Sequence, residues 1–189
     1  HRCLVVGEDL GTVEDAVRTA LARADVLSYR LLYFEKRQGG GFNPPDAYPP
    51  AALVAIGTHD LATFAGWWTG HDLRERLVLG LYPDPAVFDK QLMDRAQERI
   101  ALMQAMQHAG LLSREDVAQA AGLAMPSARV VEAAHAFLAA APSALMMVQL
   151  EDVAGAVAQA NMPGTVDTHP NWRRKLPVPV AVLAGGERM

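Results

Sequence analysis

The segment ALVAIGTHD, residues 52–60, is an apolar run that ends in glycine and passes at once into polar residues. Three further segments also pass from apolar into polar residues: LVVGED at 4–9, LSYRLLYFE at 27–35 and LMMVQLED at 145–152. Short, continuous apolar runs of this kind are typical of strands buried on both faces of a sheet. We therefore predict four strands, at Leu4–Gly7, Leu27–Phe34, Ala52–Gly57 and Leu145–Leu150.

Segments with helical periodicity separate the predicted strands. They run from Thr12 to about Ala24, from Thr63 to His108 with Gly110 at the end, from Ser113 to about Ala121, and from Pro126 to about Ala140. Strands that alternate with helices predict an α/β fold with a parallel sheet. Four strand and helix units amount to half of an eight-stranded barrel.

Polar residues follow each predicted strand: Glu8 and Asp9, then Glu35, then Thr58 to Asp60, and finally Gln149 to Asp152. In (β/α)-barrel enzymes the carboxyl ends of the strands carry the chemistry. We therefore expect the candidate site at this edge of the sheet.

Composition excludes several classes of partner. The net charge is −4 and no dense Lys or Arg run occurs, so we expect neither a nucleic-acid partner nor a membrane partner. One cysteine, Cys3, allows no internal disulfide and fits a reducing compartment, so we expect a cytoplasmic protein. Since His1 is followed directly by an apolar run, we expect the chain to begin within a domain.

The carboxylates after the first and third strands each allow two interpretations. Glu8 and Asp9 precede a helix, so they could cap it and compensate its dipole instead of taking part in catalysis. Asp60 could likewise cap the helix that contains Trp67 and Trp68, and His59 could be a packing residue. The residues alone leave these alternatives open.

Acidic groups that converge beside aromatic rings suit the cleavage of a glycosidic bond. One protonated carboxyl donates to the leaving oxygen, and in retaining enzymes an ionised carboxylate about 5 Å away attacks or stabilises the sugar cation. Aromatic faces pack against the apolar faces of sugar rings, and amides bind the hydroxyls. The sequence is thus compatible with a carbohydrate-active site.

Five segments together resemble the second half of the amylomaltase family of 4-α-glucanotransferases. In chain order they are VVGEDLGTV at 5–13, GFNPPDAYPPAAL at 41–53, GTHDLATFAGWW at 57–68, VQLEDV at 148–153 and NMPGTVDTHPNWRRKLP at 161–177. The resemblance implies the C-terminal half of a (β/α)8 TIM barrel, strands five to eight. It covers residues 1–189 as one domain, with a helical insertion at about 73–141 that no motif anchors.

The resemblance also implies roles for four residues. Glu8 matches the family's general acid/base, and Asp60 matches the aspartate that grips sugar hydroxyls and stabilises the transition state. His59 would contact the same sugar, and Asn161 would bind substrate near the acceptor. Five further residues are expected to support the site: Asp9, Trp67, Asn171, Trp172 and Arg173. Neither a cofactor nor a metal is expected.

The family's nucleophile, an aspartate in an Arg-Ile-Asp-His-type segment, has no counterpart in these 189 residues. The expected function is therefore that of part of a retaining transferase acting on maltooligosaccharides and α-1,4-glucans, inactive on its own. A retaining hydrolase of the α-amylase-like group and a non-catalytic glucan-binding fragment are the alternatives. Because half a barrel has open edges, we expect pairing with the missing half, self-association or a flatter open sheet.

Overall fold

A computed structural model of the chain describes residues 2–185. Four strands form one sheet in the order β1-β2-β3-β4, and every neighbouring pair is parallel. The strands are β1 Val6–Gly7, β2 Leu27–Leu31, β3 Ala52–Ala55 and β4 Leu145–Met146. The predicted α/β fold with a parallel sheet is confirmed.

All four strands are shorter than predicted, most clearly at the edges of the described sheet. Each edge strand, β1 and β4, has two residues and pairs on one side only. The predicted strand 145–150 is wrong beyond Met146, because the chain leaves the sheet there and α7 begins at Leu150. Strand ends follow the hydrogen-bonded partner, whereas the apolar run reports burial alone.

Helices fill the segments between the strands. They are α1 Asp15–Arg23, α2 Phe64–Thr69, α3 His71–Val78, α4 Pro85–His108, α5 Arg114–Ala121, α6 Ala128–Ala139, α7 Leu150–Val153 and α8 Val180–Gly185, with a 3-10 turn at Pro45–Ala47. None of the helices in residues 2–185 is both long and apolar enough to cross a membrane.

The single helical pattern predicted from Thr63 to His108 is divided into three helices. Gly70 separates α2 from α3 because it adopts a left-handed φ of 70°, which glycine reaches without steric cost. Helix α4 starts anew at Pro85, where the Asp84 carboxylate accepts the backbone N–H of Ala86 at 2.8 Å. At its other end Gly110 adopts a φ of 74° just beyond the helix. Ser113 and Asp116 form a reciprocal capping pair at the start of α5.

The two faces of the sheet pack against different partners. Val54 and Ile56 belong to the large core formed with the helices, which includes Phe64, Trp68 and Phe137. A second, smaller cluster is formed by Leu31, Leu53 and Ala55, with Leu10 and Leu61 packed against it. Because side chains alternate along a strand, this second cluster occupies the opposite face. Leu10 and Leu61 come from the loops that follow β1 and β3, so this cluster positions the candidate site.

Candidate active site

The loops that carry Glu8 and Asp60 meet at one edge of the sheet. Glu8 directly follows β1, and Asp60 is the fifth residue after β3. Since the strands are parallel and only β2 lies between them, both loops emerge at the same edge. Leu10 lies two residues after Glu8, and Leu61 directly follows Asp60. Both leucines pack against the same apolar cluster. The two loops therefore emerge at the same edge of the sheet and pack on the same apolar cluster.

Glu8 is exposed at this edge. Burial and, secondarily, the negative charge of Glu8 raise the pKa of the Tyr29 phenol on the neighbouring strand β2. The residue at the N-terminus of α1 is Glu14, so Glu8 does not cap that helix. The helix-capping alternative is therefore wrong for Glu8.

Asp9, by contrast, is buried, and both of its carboxylate oxygens accept hydrogen bonds. Its carboxylate accepts the hydroxyl of Ser28 at 2.8 Å, the backbone N–H of Tyr29 at 2.8 Å and the guanidinium of Arg18 at 3.1 Å. Burial alone would raise the pKa of Asp9, but these hydrogen bonds and the charges of Arg30 and Arg18 outweigh it and lower that pKa. Asp9 ties the β1 loop to β2, which is the supporting role expected of it.

Asp60 is only partly covered, with 46% of its side chain exposed. The side-chain amide of Asn161 donates to Asp60 Oδ1 at 2.6 Å, and His59 Nε2 lies 3.5 Å from the same oxygen. The backbone N–H of Asn161 donates to the carbonyl of His59 at 3.2 Å. Three of the four predicted site residues thus form one hydrogen-bonded group.

Other side chains cap the helix that follows Asp60. Thr63 Oγ1 accepts the N–H of Gly66 at 3.0 Å, and Asp152 Oδ1 accepts the N–H of Phe64 at 2.6 Å. Burial, partly offset by the Phe64 hydrogen bond, raises the pKa of Asp152 to about 6. The alternative in which Asp60 caps α2 is therefore wrong. The sequence reasoning did not single out Asp152 as the capping residue, because it lies 88 positions away from Phe64.

The aromatic pair beside Asp60 in the sequence does not line the site. Trp67 and Trp68 are 4% and 1% exposed. Trp67 stacks on Tyr33, with ring centroids 5.4 Å apart, and lies 5.2 Å from the guanidinium of Arg95. These rings support the fold from the helical side of the sheet, so they are unable to contact a sugar at the carboxyl edge.

Trp172 is the aromatic side chain that stands at the site. It is 64% exposed, and its ring lies 5.0 Å from the imidazole of His59, centroid to centroid. Its backbone N–H donates to the carbonyl of Ala160 at 2.9 Å. The sequence placed Trp172 among the supports, since nothing in a polar, irregular segment indicates which way a ring points.

The segment from Asn161 to Arg174 is internally braced. Asn171 Oδ1 accepts the N–H of Met162 at 2.9 Å, and Asn171 Nδ2 donates to Thr165 Oγ1 at 2.9 Å. Asn171 is therefore a structural support in this segment. Arg173 was expected to be another, but the guanidinium that reaches a neighbouring element is that of Arg174, 3.2 Å from Glu75.

Glu75 of α3 binds two residues of the same segment, His169 and Arg174. Its Oε1 lies 3.4 Å from Nδ1 of His169, whose side chain is 2% exposed, and it also receives Arg174. Neither Glu75 Oε2 nor His169 Nε2 has a hydrogen-bond partner among the described residues. The contacts of Glu75 therefore hold the end of the segment next to Trp172.

A cleft of 280 Å³ opens beside Asp9, between the ends of β1 and β2. Tyr29, Phe34 and Glu35 are among the residues that line it. Asn43 Nδ2 donates to Glu35 Oε2 at 3.2 Å. This hydrogen bond fixes the position of the Glu35 carboxylate. Among residues 2–185, no group of three His, Cys, Asp or Glu side chains could hold a metal ion.

The parallel sheet, with acids and an exposed ring at its carboxyl edge, defines an α/β domain of the class that binds ligands beyond the carboxyl ends of its strands. The family profile of glycoside hydrolase family 77, described as 4-alpha-glucanotransferase, matches residues 1–180. The chain belongs to this 4-alpha-glucanotransferase family.

Individual relatives agree with the family profile. The chain is 33% identical to the 4-alpha-glucanotransferase of Haemophilus influenzae over 189 residues, covering 100% of this chain and 27% of the relative. It is 36% identical to that of Mycobacterium tuberculosis over 185 residues, covering 95% of this chain and 24% of the relative.

Among solved structures, amylomaltase from Corynebacterium glutamicum superposes with a TM-score of 0.85 and 32% identity, covering 98% of this chain and 27% of that chain. The chain thus spans about a quarter of the length of these relatives.

Proposed function

We propose that this chain forms part of a 4-α-glucanotransferase that moves α-1,4-glucan segments between maltooligosaccharides with retention of configuration. The observation that carries the proposal is the group formed by Asp60, Asn161 and His59 at the edge where Glu8 also emerges. A carboxylate, an amide and an imidazole together supply both acceptors and donors for sugar hydroxyls. The membership of residues 1–180 in the family supports the same activity.

In the proposed mechanism, Glu8 first donates a proton to the glycosidic oxygen, and that C–O bond breaks. A nucleophilic carboxylate from outside these 189 residues bonds to the anomeric carbon in the same step. Glu8, now ionised, takes the proton from the 4-hydroxyl of an acceptor glucan, whose oxygen displaces the carboxylate. Two inversions at the anomeric carbon give net retention. The exposed position of Glu8 leaves it free for both proton transfers.

Asp60, in this mechanism, accepts hydrogen bonds from the hydroxyls of the sugar whose bond is broken. Asn161 holds the carboxylate by one oxygen, Oδ1, so the other oxygen can receive a hydroxyl. His59 contacts the same sugar from its flank, and Asn161 binds substrate near the acceptor. Nearly half of the Asp60 side chain is exposed, which fits a group whose second partner is a ligand.

We further propose that β1 to β4 are strands five to eight of a (β/α)8 barrel, and that residues 73–141 are a helical insertion in one domain, 1–189. Apolar side chains are exposed next to both edge strands: Leu4, Val5, Met147 and Val148. Pairing with the other half of the barrel would cover them and the unpaired edges. Self-association of two copies would do so less completely.

The activity is tested with the chain extended to the full length of its relatives. Maltotriose should be converted into both longer and shorter maltooligosaccharides, and Glu8→Gln should lower the rate about a hundredfold or more. Glu14→Gln is a matched control, since Glu14 is also an exposed glutamate next to α1 but makes no side-chain capping bond. Net growth of reducing ends without longer products would indicate a hydrolase instead.

The isolated 189-residue chain should show no turnover of maltotriose, with equal background rates for wild type and Glu8→Gln. A rate that is lost in Glu8→Gln would contradict the need for an external nucleophile. Light scattering distinguishes the assembly options, because a compact monomer that binds no hydrophobic dye would exclude both pairing and self-association.

A further inference from the structure

Trp172 combines two features that folding alone does not explain. Its large apolar ring is 64% exposed, and its φ of 61° lies in the left-handed region. A bulky side chain is rarely found there, because its Cβ crowds the backbone. Strained residues of this kind persist only where the surroundings hold them, and they cluster at functional sites.

The surroundings of Trp172 do hold it. On one side Asn171 is fixed by Met162 and Thr165, and on the other Arg174 is fixed by Glu75. The backbone N–H of Trp172 itself is bonded to Ala160. The segment therefore presents the ring in one defined position despite the strain, with most of its surface open.

The open ring lies beside the group that we propose grips the sugar. His59 links the two, since its Nε2 is 3.5 Å from Asp60 Oδ1 and its ring centroid is 5.0 Å from that of Trp172. The other tryptophans, Trp67 and Trp68, are buried. Trp172 is thus the tryptophan available to a ligand at this edge.

We propose that Trp172 is a stacking platform for a glucose ring of the bound α-1,4-glucan. The imidazole of His59 lies between this platform and Asp60. Glucose presents apolar C–H faces as well as hydroxyls, and an aromatic face binds the former while Asp60 and Asn161 bind the latter. This inference rests on the proposed function, because it takes an α-1,4-glucan as the ligand. It assigns Trp172 a binding role where the sequence indicated only structural support.

Fluorescence tests the platform in the chain as it is. Of the three tryptophans, only the exposed Trp172 should be quenched efficiently by acrylamide. Maltohexaose should reduce this quenching in a saturable way, and isomaltohexaose, which has α-1,6 linkages, should not. Absence of any protection by maltohexaose would overturn both the platform and the glucan site of this chain.

A glycine substitution separates binding from stability. Glycine accepts a positive φ without strain, so Trp172→Gly should leave the melting temperature equal or higher. Its affinity for maltohexaose, measured by calorimetry, should fall about tenfold, and Trp172→Phe should recover most of that loss. Val166→Ala is the control, because Val166 is 84% exposed in the same segment and should not affect binding.

The outcomes distinguish the platform from the proposed function. If Trp172→Gly binds maltohexaose as tightly as wild type while Asp60→Asn binds more weakly, the platform is wrong and the sugar-gripping role of Asp60 stands. If Trp172→Gly lowers the melting temperature and the affinity together, and Trp172→Phe rescues neither, the residue is structural and the platform is wrong. Weak binding by Trp172→Gly with unchanged binding by Asp60→Asn supports the platform and overturns the role of Asp60.

Discussion

Asp9 and Asp60 both lie just beyond a parallel strand at the same edge of the sheet, yet their surroundings are opposite. Asp9 is 6% exposed and accepts hydrogen bonds from Ser28, Tyr29 and Arg18. Asp60 is nearly half exposed and its carboxylate accepts one hydrogen bond, from Asn161. An acid whose oxygens are already occupied stabilises the fold, whereas an acid with an open oxygen can bind a ligand.

Asp152, which follows β4 in the sequence, has surroundings that differ from those of both Asp9 and Asp60. It is buried like Asp9, at 3% exposure, but among residues 2–185 it has no cationic partner, and it accepts one backbone N–H. Its pKa is therefore raised, whereas that of Asp9 is lowered. All three aspartates follow a strand in the sequence, so that position by itself does not distinguish their roles.

The largest effect is expected from Asp9→Ala. This change leaves the N–H of Tyr29 and the guanidinium of Arg18 without their acceptor and removes one of the two carboxylates that pair with Arg30, so the free energy of unfolding should fall by about 3 kcal/mol. Asp60→Ala is the matched control and should change it by less than about 0.5 kcal/mol. Urea unfolding of both variants measures the difference. Equal losses of unfolding free energy in the two variants would contradict the different roles assigned to Asp9 and Asp60.

A smaller and pH-dependent effect is expected at Asp152. Its pKa is about 6 in the folded chain, above the ordinary value of about 3.9, so the folded state binds the extra proton between these values. The stability that Asp152 contributes is thus complete below pH ~4 and is lost as the pH rises through about 6, by on the order of 2 kcal/mol.

Asp152→Asn should flatten this pH dependence, and urea unfolding between pH 4 and 7 measures it. Asp9→Asn is the control, because it should leave the pH dependence in this range unchanged. Because its folded pKa is lowered, the contribution of Asp9 is complete above its ordinary pKa and is lost as the pH falls through the folded value. An unchanged slope in Asp152→Asn would show that another group titrates in this range.

The smallest effect is expected from Glu75→Gln, which weakens the attachment of His169 and Arg174 to α3. We expect a loss of about 1 kcal/mol in unfolding free energy and stronger acrylamide quenching of Trp172, because the segment that holds the ring is loosened. Glu132→Gln is the control, since Glu132 also pairs with an arginine but is 72% exposed. Equal effects of the two changes would argue against a brace at Glu75.

The four strands and their parallel arrangement could be predicted because each is a short apolar run followed by polar residues and a helical segment. Their lengths could not, because a strand ends where its partner ends. The apolar run that begins at Leu145 looks the same in sequence whether the chain continues as a strand or turns into α7 at Leu150.

The candidate site was predictable to the extent that strand order determines it. Glu8, His59 and Asp60 lie within five residues of a strand end, so a parallel sheet places them at one edge. Asn161 is about a hundred positions from Asp60, and the resemblance to the amylomaltase family indicated it where spacing did not. Trp67 and Trp68 are close to Asp60 in the sequence but do not line the site, because helix α2 turns both rings into the core.

Residue order and polarity were sufficient for the α/β class, the edge that carries the acids and the family, since these depend on local runs and motifs. Whether an acid is neutralised or open, and whether a tryptophan is buried or presented, depended on contacts between segments far apart in the chain. Asp152 reaches α2 across 88 positions and Glu75 reaches Arg174 across 99. Only the folded chain brings such partners within hydrogen-bonding distance, because that distance is set by packing and not by separation along the sequence.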